Sequence, residues 1–153
     1  MPPDIDLIEI AARLGAALLA GALVGLDREI KRRPAGLQTH ALVSLGAAVT
    51  ILVVAVGSGP SGDPASRAVQ GIITGIGFVG AGVIMQYERE RRVEGLTTAA
   101  SIWAAAALGI ACGSGYLVLA GAALVAIIFV LVVGGWIEAW MERRGVGNKA
   151  RPG

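Results

Sequence analysis

Residues 116–144 read YLVLAGAALVAIIFVLVVGGWIEAWMERR, and this stretch decides the class of fold. Between positions 117 and 137 it contains no charged side chain. A helix needs roughly 20 apolar residues to cross the hydrocarbon core of a bilayer, so the stretch predicts a transmembrane helix. Tyr116 precedes the run and Trp136 and Trp140 lie near its end, where aromatic side chains anchor a span at the membrane interfaces.

Four similar apolar runs precede this one. The five predicted spans cover residues 5–26, 39–56, 68–85, 98–112 and 116–140. The chain is 55% hydrophobic and 16% charged, with a mean hydropathy of +0.71, which is poorly suited to a soluble surface. We therefore predict an all-α integral membrane protein, a compact bundle of five transmembrane helices over residues 1–140. Residues 141–153 then form a short basic cytoplasmic tail.

The basic residues lie on alternate sides of these runs. Eleven of the 13 Lys and Arg residues follow the first, third and fifth runs: Arg28, Lys31, Arg32, Arg33, Arg89, Arg91, Arg92, Arg143, Arg144, Lys149 and Arg151. Lys and Arg resist translocation, so the pattern predicts an inner-membrane protein with its N-terminus outside and its C-terminus in the cytoplasm. These juxtamembrane charges favour contact with the lipid bilayer, and we expect no nucleic-acid partner.

The first, third and fourth spans are rich in small residues. Two GxxxG patterns occur, and three further glycines follow the second pattern: Gly21 and Gly25, Gly71 and Gly75, then Gly77, Gly80 and Gly82. Small residues let membrane helices approach closely. The glycines therefore predict tight helix packing, either within the protein or at the seam of a homodimer.

Several polar side chains fall within the spans. Arg67, Gln70 and Thr74 share one helical face of the third span, and His40 and Ser44 share one face of the second. Such faces either line a polar cavity or form hydrogen bonds between helices. His40 is the only histidine in the chain, so one copy cannot supply a multi-histidine metal site.

Two groups of charges bracket the first span. Arg13 follows Glu9 by one helical turn, and it either extends to the outer headgroups or faces another helix. Asp27, Arg28 and Glu29 close the span at the opposite boundary, where a solvated helix end is the ordinary interpretation. Asp27 and Glu29 are weak candidates for a Mg2+ site, because hard cations prefer oxygen ligands. No sequence pattern of an enzyme or of a cofactor site occurs, and we expect neither.

An internal repeat links the two halves of the chain. Seven residues recur at an offset of 59 positions: Glu29, Arg32, Arg33, Gly36, Leu37, Thr39 and Ala41 match Glu88, Arg91, Arg92, Gly95, Leu96, Thr98 and Ala100. Each copy is a basic connection that leads into a helix. The pattern indicates either a duplicated helix pair or two connections that became similar independently.

Four ordered segments resemble the MgtC/SapB family of membrane proteins. They are residues 25–29 (GLDRE), 34–43 (PAGLQTHALV), 75–84 (GIGFVGAGVI) and 95–103 (GLTTAASIW), within a region of likeness from residue 13 to 116. The resemblance implies five transmembrane helices in a bacterial inner membrane. It also implies that the family's typical positions are present here as Asp27, Arg28, Glu29, Thr39, His40, Arg67, Gly77, Gly80, Gly82, Thr98 and Trp103.

The resemblance implies a role in adaptation to low Mg2+, to acid or to intracellular stress, and an association with virulence. Two functional classes remain open. One is a membrane regulator, a homo-oligomer or a partner of another inner-membrane protein. The other is a transporter or channel for Mg2+ or another ion, with a path past Asp27, His40, Arg67 and Gln70. Gln38 stands where the family often has Arg, and functions of the C-terminal soluble domain found in many relatives are expected to be absent.

Overall fold

Five helices account for nearly all of the ordered backbone in the computed structural model, which describes residues 6–57, 63–87 and 95–144. They are α1 (Leu7–Ile30), α2 (Leu37–Gly57), α3 (Asp63–Tyr87), α4 (Leu96–Gly113) and α5 (Leu117–Arg143). With 18 to 27 residues, each is about 27–40 Å long and apolar enough to cross a membrane. The predicted five-helix membrane fold is confirmed.

Two helix ends differ clearly from the apolar runs. Helix α1 continues to Ile30 instead of residue 26, and α3 begins at Asp63 instead of residue 68. In both places the backbone stays helical through charged and polar residues, which an apolar run does not include. Hydropathy marks the apolar part of a span and underestimates the length of the helix.

Helix α2 is held between α1 and α4 by very close backbone contacts. A Cβ built on Gly21 of α1 would overlap the carbonyl oxygen of His40 and lie 2.7 Å from Cβ of Ser44. A Cβ on Gly109 of α4 would overlap the carbonyl oxygen of Ser44, and one on Gly113 would lie 2.7 Å from that of Ala48. Glycine at these positions lets the three helices share one core.

The core is correspondingly made of small side chains. Fully or almost fully buried alanines occur on all three helices and on α5: Ala17, Ala20, Ala41, Ala47, Ala48, Ala105, Ala106 and Ala120. Lipid supplies no hydrophobic drive between helices, so close van der Waals packing of such residues must stabilise the bundle. Val24, Ile102 and Leu108 fill the remaining space.

Helix α5 packs on one side of this core. Leu124, Ile127 and Leu131 contact the cluster formed by Val24 and Leu108. The opposite side of α5 exposes large apolar residues such as Val118 and Phe129, as expected of a helix surrounded by lipid. Near its end, the Arg144 guanidinium lies 4.4 Å from the ring centre of Trp140, a cation–π contact.

Helix α3 packs against α4 and also contacts α2. Between positions 64 and 84 only Gly80 is buried, and a Cβ on Gly80 would lie 3.4 Å from Cβ of Ala99. The Gly80–Ala99 contact corresponds to the contact between Gly21 and His40. Gly80 and Ala99 lie 59 positions after Gly21 and His40, which is the offset of the internal repeat. The α1–α2 and α3–α4 pairs therefore share a contact as well as a sequence pattern, which favours duplication of a helix pair.

The backbone contact at Gly109 predicts an asymmetry between two glycines. Gly109→Ala should lower the free energy of unfolding by about 1–3 kcal/mol, because its methyl group would overlap Ser44 and force α4 outward. Gly121→Ala on α5 should change it by less than about 0.5 kcal/mol, since a Cβ there has no neighbour within 4 Å. Unfolding of the purified protein in detergent measures both. Equal effects would show that α4 tolerates displacement from α2.

Candidate functional site

A chain of buried polar groups connects α2, α4 and α1. His40 Nδ1 lies 2.9 Å from the carbonyl oxygen of Gly36, and His40 Nε2 lies 2.9 Å from Ser101 Oγ. Ser101 Oγ is also 2.8 Å from the carbonyl oxygen of Thr98, whose Oγ1 accepts a hydrogen bond from Arg28 Nη2 at 2.9 Å. All four side chains of this buried polar chain are shielded from solvent: Arg28, His40, Thr98 and Ser101.

The protons available in the buried polar chain allow two hydrogen-bonding arrangements at His40. A carbonyl only accepts, so the contact with Gly36 places a proton on Nδ1. With a neutral imidazole, Ser101 donates its hydroxyl proton to Nε2. With an imidazolium, Nε2 donates to Ser101, which then donates to the carbonyl oxygen of Thr98. In either arrangement the ring joins α2 to α4.

Ser44 adds a second connection one helical turn further along α2. Its Oγ donates to the carbonyl oxygen of Ala17 on α1 at 2.7 Å, and the side chain is fully buried. Together with His40 this places the polar face of α2 between helices. The sequence left two roles open for that face, lining a polar cavity or forming hydrogen bonds between helices. In the structure the face forms hydrogen bonds between helices.

Arg28 does not lie at a solvated helix end. The side chain is only 5% exposed, because α1 continues beyond it and turns it toward the first turn of α4. Its Nη2 donates to Thr98, whereas its Nε is buried with no hydrogen-bond partner. Among the residues that the structure describes, no carboxylate lies within 4.0 Å of the guanidinium.

The carboxylates on either side of Arg28 have other contacts. Asp27 Oδ1 lies 2.8 Å from Lys31 Nζ, which also donates to the carbonyl oxygen of Leu131 on α5 at 2.9 Å. Glu29 Oε2 accepts from the backbone N–H of Leu37 at 3.2 Å, at the start of α2. In the described part of the chain no three His, Cys, Asp or Glu residues cluster as metal ligands would.

Arg13 marks the opposite end of the α1–α4 contact. Its Nη1 donates to the carbonyl oxygen of Gly113 at 3.0 Å, and its Nη2 pairs with Glu9. The guanidinium also lies beneath the turn between α4 and α5, where a Cβ on Gly115 (φ 83°) would be 2.8 Å from Nη2. Arg13 therefore faces another helix, and a cation at the carboxyl end of α4 is electrostatically favourable.

The polar and small residues predicted on α3 face outward. Arg67, Gln70 and Thr74 are exposed, so the structure does not bring them near His40. Of the glycines on this helix, four would meet no heavy atom within 4 Å if a Cβ were added: Gly71, Gly75, Gly77 and Gly82. The expected packing at these four positions is absent within the described protomer, because α3 approaches α4 only on the side of Gly80.

Other predicted positions differ in the same way. Trp103, one of the family's typical positions, is 49% exposed on α4, so it does not pack between helices of the described protomer. Thr39 is partly exposed at the start of α2. Gly25 lies where predicted, against the backbone, since its Cβ would be 2.6 Å from Cα of Leu37.

Sequence reasoning missed several residues of this site. Ser101 lies within one of the family-like segments but has no assigned role there, and neither Gly109 nor Gly113 is predicted to pack against α2. The two glycines form a third GxxxG pattern, which was a detectable signal. The burial of Arg28 had no local signal, since its partner Thr98 is 70 positions away.

Comparisons with known proteins give a consistent result. The model of the MgtC family matches residues 14–140. The chain is 44% identical over 123 residues to Protein SrpB of Synechococcus elongatus, 42% over 127 residues to Protein MgtC of Brucella abortus and 48% over 100 residues to Protein MgtC of Salmonella typhimurium. These matches cover 74%, 83% and 65% of this chain and 68%, 50% and 41% of the relatives. No solved structure matches.

The buried polar chain predicts that His40 is important for stability. His40→Ala should lower the free energy of unfolding by about 2–4 kcal/mol, because it removes a fully buried ring and its contacts to Gly36 and Ser101. Thr50→Ala is the matched control, since Thr50 is exposed and bonds only to Gly46 of its own helix. Chemical unfolding in detergent compares them. A loss no larger than that of the control would contradict a structural role of His40.

Proposed function

We propose, since the chain belongs to the MgtC family, that it is a regulator that supports adaptation to low Mg2+, acid or intracellular stress by binding another membrane protein. In this proposal the protein is not an enzyme and lies in the bacterial inner membrane. Its N-terminus is outside and its basic connections are in the cytoplasm, in line with the distribution of Lys and Arg. The contact with the partner is made by α3.

The outward face of α3 carries this proposal. Gly71, Gly75 and Gly82 follow one another along it, and Phe78, 84% exposed, stands among them. Glycines expose backbone that another helix can approach closely, and an aromatic side chain amid small residues is a suitable anchor for a partner. Lipid acyl chains gain little van der Waals contact from such a surface.

Polar side chains on the same helix add to the argument. Gln70 and Thr74 are exposed within a segment that is apolar enough to cross a membrane. A polar side chain facing hydrocarbon is unfavourable unless another protein group forms a hydrogen bond with it. The exposed side of α5 offers the contrast, because it carries aliphatic residues such as Val118, Val125 and Val130.

The positions proposed for an ion path give the transport alternative no comparable support. Asp27 is paired with Lys31 at the end of α1, and His40 is enclosed between α2 and α4. Gln70 lies on the outward side of α3. A continuous polar path would need these residues to line one space, whereas the structure separates them.

A substitution on α3 should separate function from folding. Gly75→Leu should abolish the rescue of growth at low Mg2+ in a strain lacking the protein, because the larger side chain keeps the partner helix away. Gly121→Leu on α5 should rescue growth normally. Both glycines have no neighbour within 4 Å of a built Cβ, so neither substitution disturbs the protomer.

Membrane levels and thermal unfolding of the two variants serve as controls and should equal those of the parent protein. Equal rescue of growth by both variants would contradict a functional contact on α3. Mg2+ flux into liposomes that contain only the purified protein, abolished by Asp27→Asn, would instead establish transport.

A further inference from the structure

Arg28 is a buried cation that forms no salt bridge with any of the described residues. It is 95% shielded from solvent, its Nε has no hydrogen-bond partner, and its Nη2 has only the neutral hydroxyl of Thr98. The nearest carboxylates on its own helix pair with Lys31 and with the backbone of Leu37. A buried charge is costly unless it is paired, so this position favours a bound anion.

The first turn of α4, next to Arg28, is a second group of unpaired donors. Helix α4 begins after Gly95 (φ 95°), and no side chain among the described residues caps it. The first N–H groups of a helix have no partner within the helix and carry partial positive charge. At the start of α2, Glu29 accepts from the N–H of Leu37.

We propose that Arg28 and the first turn of α4 bind a phosphate group. The guanidinium donates to two phosphate oxygens through Nε and an adjacent Nη, and the N–H groups of the helix start donate to a third. Arginine is suited to this fork-like recognition, and helix N-termini bind phosphate through the same unpaired donors. Thr98 holds the guanidinium in place through its bond to Nη2.

The position fits the headgroup of an anionic phospholipid, although free phosphate would use the same donors. Arg28 lies two residues before the end of α1, a helix long and apolar enough to cross a membrane, and lipid phosphates lie near the ends of such helices. From the first turn of α4 an apolar groove runs between α4 and α5, lined among others by Ala100, Ala104, Ile127 and Val130. A lipid with its phosphate at Arg28 can place an acyl chain in this groove.

The test is thermal unfolding of the purified full-length protein in nonionic detergent, with three additions compared. They are dioleoyl-phosphatidylglycerol, dioleoyl-phosphatidylcholine and inorganic phosphate. We expect saturable stabilisation by phosphatidylglycerol that exceeds the effect of phosphatidylcholine. Arg28→Gln should weaken the apparent affinity for phosphatidylglycerol about tenfold or more, as expected for lost charge-assisted hydrogen bonds.

Arg143→Gln is the matched control and should keep the full effect, because Arg143 is exposed and bonds only to Ala139 of its own helix. Stabilisation by inorganic phosphate that also depends on Arg28 would support the site and identify the free ion as its ligand. Equal stabilisation of the parent by the two lipids, with none by phosphate, would overturn the proposal. This comparison does not depend on whether Arg28→Gln folds.

Two further outcomes would also overturn it. One is an unchanged affinity for phosphatidylglycerol in a folded Arg28→Gln variant. The other concerns Glu88, which the repeat makes equivalent to Glu29 and which lies outside the described residues. If stabilisation by phosphatidylglycerol appeared only in Glu88→Gln, a carboxylate of the chain itself would be the anion at Arg28.

Discussion

Helix α2 can occupy its position only because glycine faces its backbone from both neighbouring helices. Gly21 of α1 and Gly109 of α4 each lie so close to Ser44 and the adjacent turn that a single methyl group would collide with main-chain or Cβ atoms. In a bilayer this closeness replaces the hydrophobic drive that assembles soluble bundles. It also brings donors and acceptors of three helices within bonding distance. The chain from His40 to Arg28 therefore depends on these glycine contacts.

This arrangement divides the molecule into two parts with different surroundings. Helices α1, α2 and α4 form a core fixed by small residues and buried hydrogen bonds, and the two arginines at positions 13 and 28 connect α1 to opposite ends of α4. Helix α3 packs on α4 and α2 along one side and turns most of its glycines outward. The outward side of α3 is the surface on which the proposed contact with another membrane protein rests.

The number of helices was predictable from the sequence, because the length and apolarity of a span are local properties. The ion pairs Glu9–Arg13 and Asp27–Lys31 could also be inferred from the sequence, since each joins residues one helical turn apart. The packing partner of each GxxxG pattern could not be predicted from the sequence. The pattern at Gly71 points away from the protomer and the one at Gly109 packs against α2, because a pattern does not specify which neighbour its face will meet. The burial of Arg28 likewise depends on α4, which arrives much later in the chain.

In the proposed function, α3 contacts a protein partner, whereas α5 is surrounded by lipid. Photo-crosslinking in bacterial membranes tests it most directly, with a photoreactive amino acid at Thr74 on α3 and, for comparison, at Val125 on α5. Both side chains are exposed in the protomer. The account predicts a discrete adduct with one membrane protein from Thr74, lost when Gly75→Leu is added, and only lipid adducts from Val125. Lipid adducts alone from both positions would contradict it.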